Sequence, residues 1–237
     1  MRVLALGGSA RGGKGVTGRL LGALARGLEQ GGALVDTWQA CEMKVAPCLA
    51  CLACMLRTPG VCVQRDDMDR LYPALAAADL LVLATPVYTD NMSAQLKVVM
   101  DRCIPSMQPY LVQGPDGRTR HPLTWSMPRR WLLLATCGFP EPVTFEPLKA
   151  TFRAQAANFH SQPLGELCVP GSIAMQMEPE ALGPHLDLIR QAGRELAAGH
   201  ELPLPLLLAI NRPPFSLDRY SQIARRYHEL CRKKLKD

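Results

Sequence analysis

Cys48, Cys51, Cys54 and Cys62 fall within one short stretch, with Cys41 just outside it. Two consecutive gaps of two residues let three thiolates curl round one compact centre, and a fourth returns after seven more residues. Four cysteine ligands at such spacing can wrap a [4Fe–4S] cubane. The bacterial ferredoxin run ends C-x₃-C-P, its last cysteine serving another cluster; here the gap is longer and Val63 follows Cys62. Zinc is a second reading, although it usually takes two separated C-x₂-C knuckles. Free thiols are a third. Cys103, Cys137, Cys168 and Cys231 lie within or beside apolar runs and read as buried free thiols. His121, His160, His185, His200 and His228 show neither metal spacing nor a triad, so a cysteine nucleophile would have no oriented base.

A second constellation opens the chain. The apolar run Val3-Leu4-Ala5-Leu6 breaks into Gly7-Gly8-Ser9-Ala10-Arg11-Gly12-Gly13-Lys14-Gly15, and Leu20, Leu21, Leu24 and Leu28 then recur at helical spacing. This strand, glycine turn and helix would present backbone N–H groups to an anion at a helix N-terminus. The turn approaches a Walker A loop, but Gly15 stands where that motif needs a metal-binding hydroxyl. The strand ending in Thr85-Pro86 offers no acidic partner for an ATP or GTP site. A Rossmann fingerprint is not met in register, and a turn without ligand is the bland reading. The reading carried forward is a mononucleotide phosphate held by backbone N–H groups, Ser9, Arg11 and Thr17, without metal. A second turn, Thr85-Pro86-Val87-Tyr88-Thr89-Asp90-Asn91-Met92-Ser93, combines a rigid proline with an aromatic face, which suits a flat heteroaromatic ring.

These turns need a scaffold. Strands are predicted at Val3–Leu6, Leu34–Trp38, Asp79–Ala84, Trp131–Thr136 and, at an edge between prolines, Leu164–Val169. Helices follow each, with Asp67 as an N-cap before Met68, Ser93 starting another, and Pro179 opening a helix over Leu182, Leu186, Ile189 and Leu196. Residues 41–65 read as a loop. Residues 105–128 read as irregular, with a turn at Pro115-Asp116-Gly117. A proline-rich tail leads to a last amphipathic helix bearing Tyr220, Ile223, Ala224, Tyr227 and Leu230. Five strands alternating with helices give an α/β, flavodoxin-like doubly wound sheet of five parallel strands, order 2-1-3-4-5, with a C-terminal helical extension. Ligands then bind at the carboxyl ends of strands 1 and 3. The expected organisation is a flavodoxin-like domain over residues 1–200, carrying the cysteine-rich loop at 41–65, with residues 201–237 docked on it. The cysteine loop and glycine turn would share the carboxyl edge of neighbouring strands, close enough for electron transfer.

Gly8-Ser9-Ala10-Arg11 with Thr17, then Thr85-Pro86-Val87-Tyr88, then Met92-Ser93-Ala94-Gln95-Leu96-Lys97, resemble the NAD(P)H-dependent FMN reductases of the flavodoxin-like superfamily. That resemblance implies that Ser9, Arg11, Val16 and Thr17 sit at the FMN phosphate. It further implies that Pro86, Val87, Tyr88 and Met92 line the isoalloxazine, approached by Gly138. One departure is Gly15-Val16, where relatives often carry Ser-Asn. The cysteine spacing is similar to the compact motif of the iron–sulfur flavoproteins, dimers or tetramers that pass electrons between a cluster and FMN. By that resemblance Cys48, Cys51, Cys54 and Cys62 would be the metal ligands.

Composition narrows the classes. The chain has 237 residues, 48% hydrophobic and 20% charged, which is ordinary for a globular protein. No run approaches the roughly 20 apolar residues that span a bilayer, and no secretory signal is seen, so a cytoplasmic location is expected. The net charge of +6 includes the basic run Arg232-Lys233-Lys234-Leu235-Lys236, which reads as a solvated helix end rather than a nucleic-acid patch, since aromatics are not interleaved. The expectation is an FMN-dependent oxidoreductase exchanging electrons with a [4Fe–4S] cluster, served by NAD(P)H or a ferredoxin-like donor. It would engage neither nucleic acid nor membrane, and would form a homo-oligomer through residues 105–128. The alternatives are a cluster-free NAD(P)H-dependent FMN or quinone reductase and a zinc-stapled, non-enzymatic binding module.

Overall fold

The structure, a computed structural model, describes residues 1–114 and 116–234. Five parallel strands form the central sheet: β1 (Arg2–Gly7), β2 (Leu34–Gln39), β3 (Leu80–Tyr88), β4 (Arg130–Thr136) and β5 (Gln162–Val169). Their order is β2-β1-β3-β4-β5, as the alternation of elements predicts. Register runs Gly7↔Ala84 between β1 and β3, and Pro86↔Thr136 between β3 and β4. The interior strands β3 and β4 are continuously apolar and buried over Leu80–Ala84 and Trp131–Ala135, the pattern of a sheet covered on both faces.

One face carries α1 (Val16–Gln30) and the later helix Leu182–Ala197; the other carries α2 (Met68–Ala77), α3 (Ala94–Asp101) and α4 (Glu146–Asn158). Between α4 and Leu182–Ala197 lies the short α5 (Ser172–Met177), so the long helix is α6. α1 and α6 cross closely because Gly27 and Gly193 meet there, and a Cβ on Gly27 would collide with the Arg190 carbonyl. On the second face Trp131 stacks on Phe159 at 5.6 Å.

Several expectations are corrected. Thr85-Pro86 does not end β3. The strand runs on to Tyr88 and pairs antiparallel with a two-residue strand, Asn91–Met92. Asp67 precedes α2 without capping it, since its carboxylate accepts from the Lys44 N–H at 2.7 Å; Asp66 instead accepts from the Met68 N–H at 3.1 Å. Residues 41–65 include a helical turn, Ala53–Leu56. Pro179 opens a 3₁₀ turn, Pro179–Ala181, and α6 proper begins at Leu182.

The irregular segment holds a small hairpin pairing Val112–Gln113 with Thr119–Arg120; of its expected turn, Pro115 lies outside the described residues. The tail contains an unanticipated helix, α7 (Leu204–Ile210), which buries Leu206 and Ile210; Pro205 is tolerated in its first turn. The last helix, α8 (Leu217–Lys234), buries Ile223 and leaves Leu230 exposed. Cys103, Cys137 and Cys168 are buried as expected, and Cys231 is half-buried. Of the basic terminal run, Leu235 and Lys236 lie outside the described residues. No helix among the described residues is long and apolar enough to cross a membrane.

Candidate functional site

The carboxyl ends of β1, β3 and β4 open into a cavity of about 450 Å³. Ser9, Arg11, Val16, Thr17, Pro86, Val87, Tyr88 and Gly138 all line it. Among the residues expected at the flavin, Met92 does not line the cavity: it is buried in the hydrophobic cluster beneath and pairs with Val87.

The turn after β1 is built for close backbone approach. Gly12 adopts a φ of +53°, and a Cβ on Gly18 would strike the Gly12 carbonyl oxygen. Gly15 caps α1 without any side-chain bond, and the first bond onto the cap is Arg19 N–H to the Gly15 carbonyl at 2.9 Å. The N–H groups of Val16, Thr17 and Gly18 therefore have no intrahelical acceptor. Uncapped donors beside Ser9 and Arg11 fit an anionic phosphate. Ser9 is itself buried, and its Oγ accepts from the Arg11 N–H at 3.2 Å.

Side-chain bonds tie the ends of the three strands into one frame. Ser93 Oγ donates to the Gly8 carbonyl at 2.5 Å, while the Ser93 N–H donates to Thr85 Oγ1 at 3.0 Å. Thr17 and Thr136 share a buried hydroxyl bond of 2.7 Å between α1 and the end of β4. Thr89 and Asp90 hold left-handed φ values of 47° and 60° at the tip beyond Tyr88, a conformation costing roughly 1–2 kcal/mol per residue. Tyr88 and Phe139 stand 51% and 59% exposed at the mouth and offer apolar faces to a planar ring.

Other lining residues come from parts of the chain that carry no turn motif: Ser172, Ile173 and Gln176 on α5, and Tyr227 on α8. Gln176 Oε1 accepts from Arg11 Nη1 at 2.9 Å, and Tyr220 Oη donates to the Gly138 carbonyl. The helical spacing of Tyr220 and Tyr227 was the only sequence signal for the α8 contribution.

The cysteines form a second cavity of about 160 Å³, lined by Cys48, Cys51, Cys54 and Cys62 together with Arg102 and Pro105. Ala50 and Leu52 both take left-handed backbone angles, φ 51° and 56°; of the three closely spaced thiols only Cys54 is buried, while Cys48 and Cys51 are exposed. Burial, then the neighbouring Cys62, Cys48 and Cys51, push the Cys54 thiol above its ordinary value. The Ala50 N–H donates to Cys48 Sγ at 3.4 Å. Among the described residues no group of three or more Cys, His, Asp or Glu side chains is placed so as to hold a metal ion. Four thiols line one small cavity, a donor set that either an iron–sulfur cluster or zinc would take.

Arg102, at the C-terminal end of α3, escaped the sequence reading. Its side chain is 1% exposed. Nη1 donates to Asp66 Oδ2 at 2.6 Å and to the Ala46 carbonyl at 2.7 Å; Nη2 donates to Asp66 Oδ1 at 3.2 Å and approaches Cys62 Sγ at 3.6 Å. Burial opposes the Asp66 carboxylate, but hydrogen bonds from Arg102 and from the Ala46 and Met68 N–H groups hold it below its ordinary value. The two sites meet opposite ends of α3. Ser93 at the start of α3 touches the glycine turn, whereas Arg102 at its end meets the cysteines. At 1.5 Å per residue the helix sets them roughly 13 Å apart.

Residues 1–114 match the family model described as NADPH-dependent FMN reductase. An iron–sulfur flavoprotein of Methanosarcina thermophila is 38% identical over 104 residues, 44% of this chain and 53% of the relative. A second, from Methanocaldococcus jannaschii, is 37% identical over 92 residues, 38% of this chain and 46% of the relative. The chain thus spans about half the length of these curated relatives. Among solved structures, an FMN-dependent NADH-azoreductase from Bacillus anthracis in complex with FMN superposes with a TM-score of 0.59 at 12% identity, covering 83% of this chain and 99% of that one. An NAD(P)H:quinone oxidoreductase from Methanothermobacter marburgensis gives 0.60 at 15%, covering 83% and 98%. At such identity these two speak for the fold alone. The resemblance to the NADPH-dependent FMN reductases therefore holds over residues 1–114 and that to the iron–sulfur flavoproteins over less than half of the chain, on a flavodoxin-like fold that extends well past residue 114.

Proposed function

We propose that this chain is an FMN-dependent oxidoreductase that also holds a [4Fe–4S] cluster on Cys48, Cys51, Cys54 and Cys62. The observation that carries the flavin assignment is the uncapped start of α1 opening into the cavity shared by Pro86, Val87, Tyr88 and Gly138. FMN when bound supplies hydride and one-electron chemistry, and the cluster one-electron storage. The chain's own residues bind and orient. The first-turn N–H groups of α1, Ser9 and Arg11 hold the phosphate; Tyr88 and Phe139 flank the ring; the Thr17–Thr136 bond fixes the two walls against each other. NAD(P)H is the donor favoured by the family match, and a ferredoxin-like protein is the alternative.

Residues 1–200 act as the FMN-binding domain with its cysteine-rich loop at 41–65, and residues 201–237 dock on it, an arrangement supported by the contacts of Tyr220 and Tyr227. Tyr110, Leu111 and Val112, all exposed, would contact a second copy; a monomer by light scattering would reject this.

The deciding experiment is anaerobic purification followed by a visible spectrum with flavin, iron, sulfide and zinc analysis, then mixing with NADPH. The expected result is one FMN with four iron and four sulfide per chain. Flavin without iron, bleached by NAD(P)H alone, would select a cluster-free FMN or quinone reductase. Stoichiometric zinc without flavin would select a non-enzymatic binding module.

A further inference from the structure

A buried arginine normally needs a reason, because its charge is almost never sequestered unless paired. Asp66 supplies a partner for Arg102 and thereby links the cysteine stretch to α3. Three observations go beyond a structural cross-link. Arg102 lines the same cavity as all four cysteines. Its Nη2 approaches the Cys62 sulfur at 3.6 Å. Its Nε is buried with no hydrogen-bond partner. A guanidinium is always charged and presents its donors in a rigid fork, so the carboxylate on one side fixes the positive end against the sulfur on the other.

We propose that Arg102 is a positioning residue for the cluster, its guanidinium held by Asp66 so that it bonds the Cys62 sulfur and raises the cluster's reduction potential. The inference rests on the cluster reading given above. Reduction adds one electron, supplied in the test by dithionite, and so adds one negative charge inside the cavity while no bond is broken. Hydrogen bonds to the sulfurs and nearby net charge set such potentials. A cation held in place with its own side chain buried favours the more negative, reduced form. The Asp66 carboxylate opposes this, but it contacts the guanidinium rather than the sulfur.

The two partners should therefore shift the potential in opposite directions. In the full-length protein titrated anaerobically with dithionite and redox mediators, Arg102→Gln should lower the cluster midpoint and Asp66→Asn should raise it. Arg102→Lys, which keeps the charge but loses the fork, should lower it less than Arg102→Gln. The flavin midpoint, read in the same titration, should stay put, because the two cavities share no lining residue. A purely structural role would instead lower cluster occupancy in both variants and leave the potential of the remaining clusters unchanged. Unmoved potentials, or shifts of the same sign, overturn the proposal while leaving the cluster intact. If Arg102→Gln fails to fold, Asp66→Asn and Arg102→Lys decide. Wild-type protein lacking iron and sulfide after anaerobic reconstitution would refute the cluster reading and this proposal together.

Discussion

The two cavities are built by opposite means. The flavin cavity is largely a backbone object: turns at the ends of three parallel strands, an uncapped helix start, and small residues that let the chain come close. The cysteine cavity is a side-chain object. Its chemistry sits on thiols from one stretch, but its charge comes from Arg102, locked by an Asp66 36 positions away. A backbone site is tolerant of side-chain identity and intolerant of added volume. A side-chain site is the reverse, so substitutions should separate the two.

The largest effect is expected for Cys54→Ser, which removes the buried member of the cysteine set. Cluster iron should be lost, while FMN affinity stays within about twofold because distant sites act independently. Parallel iron analysis and flavin titration measure both; joint loss of flavin and iron would show that the cavities are coupled. Next is Gly18→Ala, whose added methyl meets the Gly12 carbonyl. Overpacking of this kind costs about 1–3 kcal/mol, so FMN affinity should fall by about tenfold with iron content unchanged. Flavin fluorescence titration decides it, and unchanged FMN affinity would show that the turn does not hold the phosphate.

This contrast also explains what the sequence could reveal. Gly8 to Thr17 and Pro86 to Tyr88 were readable because backbone demands leave marks in residue type: glycine where a Cβ cannot fit, proline where a turn is stiff. The five strands and their order were readable from apolar runs alternating with helical periodicity. Arg102 was not, because nothing local distinguishes a buried arginine at a helix end from a solvated one; its partners lie at Ala46, Cys62 and Asp66. The contribution of Tyr227 was hidden for the same reason. The cysteine cavity's second wall was equally hidden, because it is made by Asp101, Arg102, Ile104 and Pro105 at the end of α3, far from the cysteines in sequence. The extension of β3 past Pro86 is not legible locally, because proline ordinarily ends a strand, yet here it keeps parallel register with Thr136.

A smaller effect is expected for Thr17→Val. It removes one half of the 2.7 Å bond to Thr136 and leaves that hydroxyl buried without a partner. Such an orphan costs about 1–3 kcal/mol of stability. Denaturant melts should show the loss, and FMN should restore part of it if the bond braces the flavin walls. Equal destabilisation with and without FMN would mean that the pair serves the fold alone.

The smallest effect separates the two cavities by pH. Asp66 has a folded-state value below its ordinary 3.8, because hydrogen bonds from Arg102 and two backbone N–H groups outweigh the cost of burial. A carboxylate lowered on folding binds protons more tightly when unfolded. Its contribution to stability is therefore complete above the ordinary value and is lost as pH falls through the lower folded value. Protonated Asp66 closely resembles asparagine, so the stability gap between wild type and Asp66→Asn should stay constant from neutral pH down to about 5 and close below the ordinary value. The Thr17–Thr136 bond contains no group that titrates in this range, so the gap between wild type and Thr17→Val should stay flat over the same window. Thermal melts of the three proteins from neutral to acidic pH measure both gaps at once. An Asp66→Asn gap as flat as that of Thr17→Val would mean that the Arg102–Asp66 pair contributes nothing through its charge, and only its packing would then distinguish the cysteine cavity.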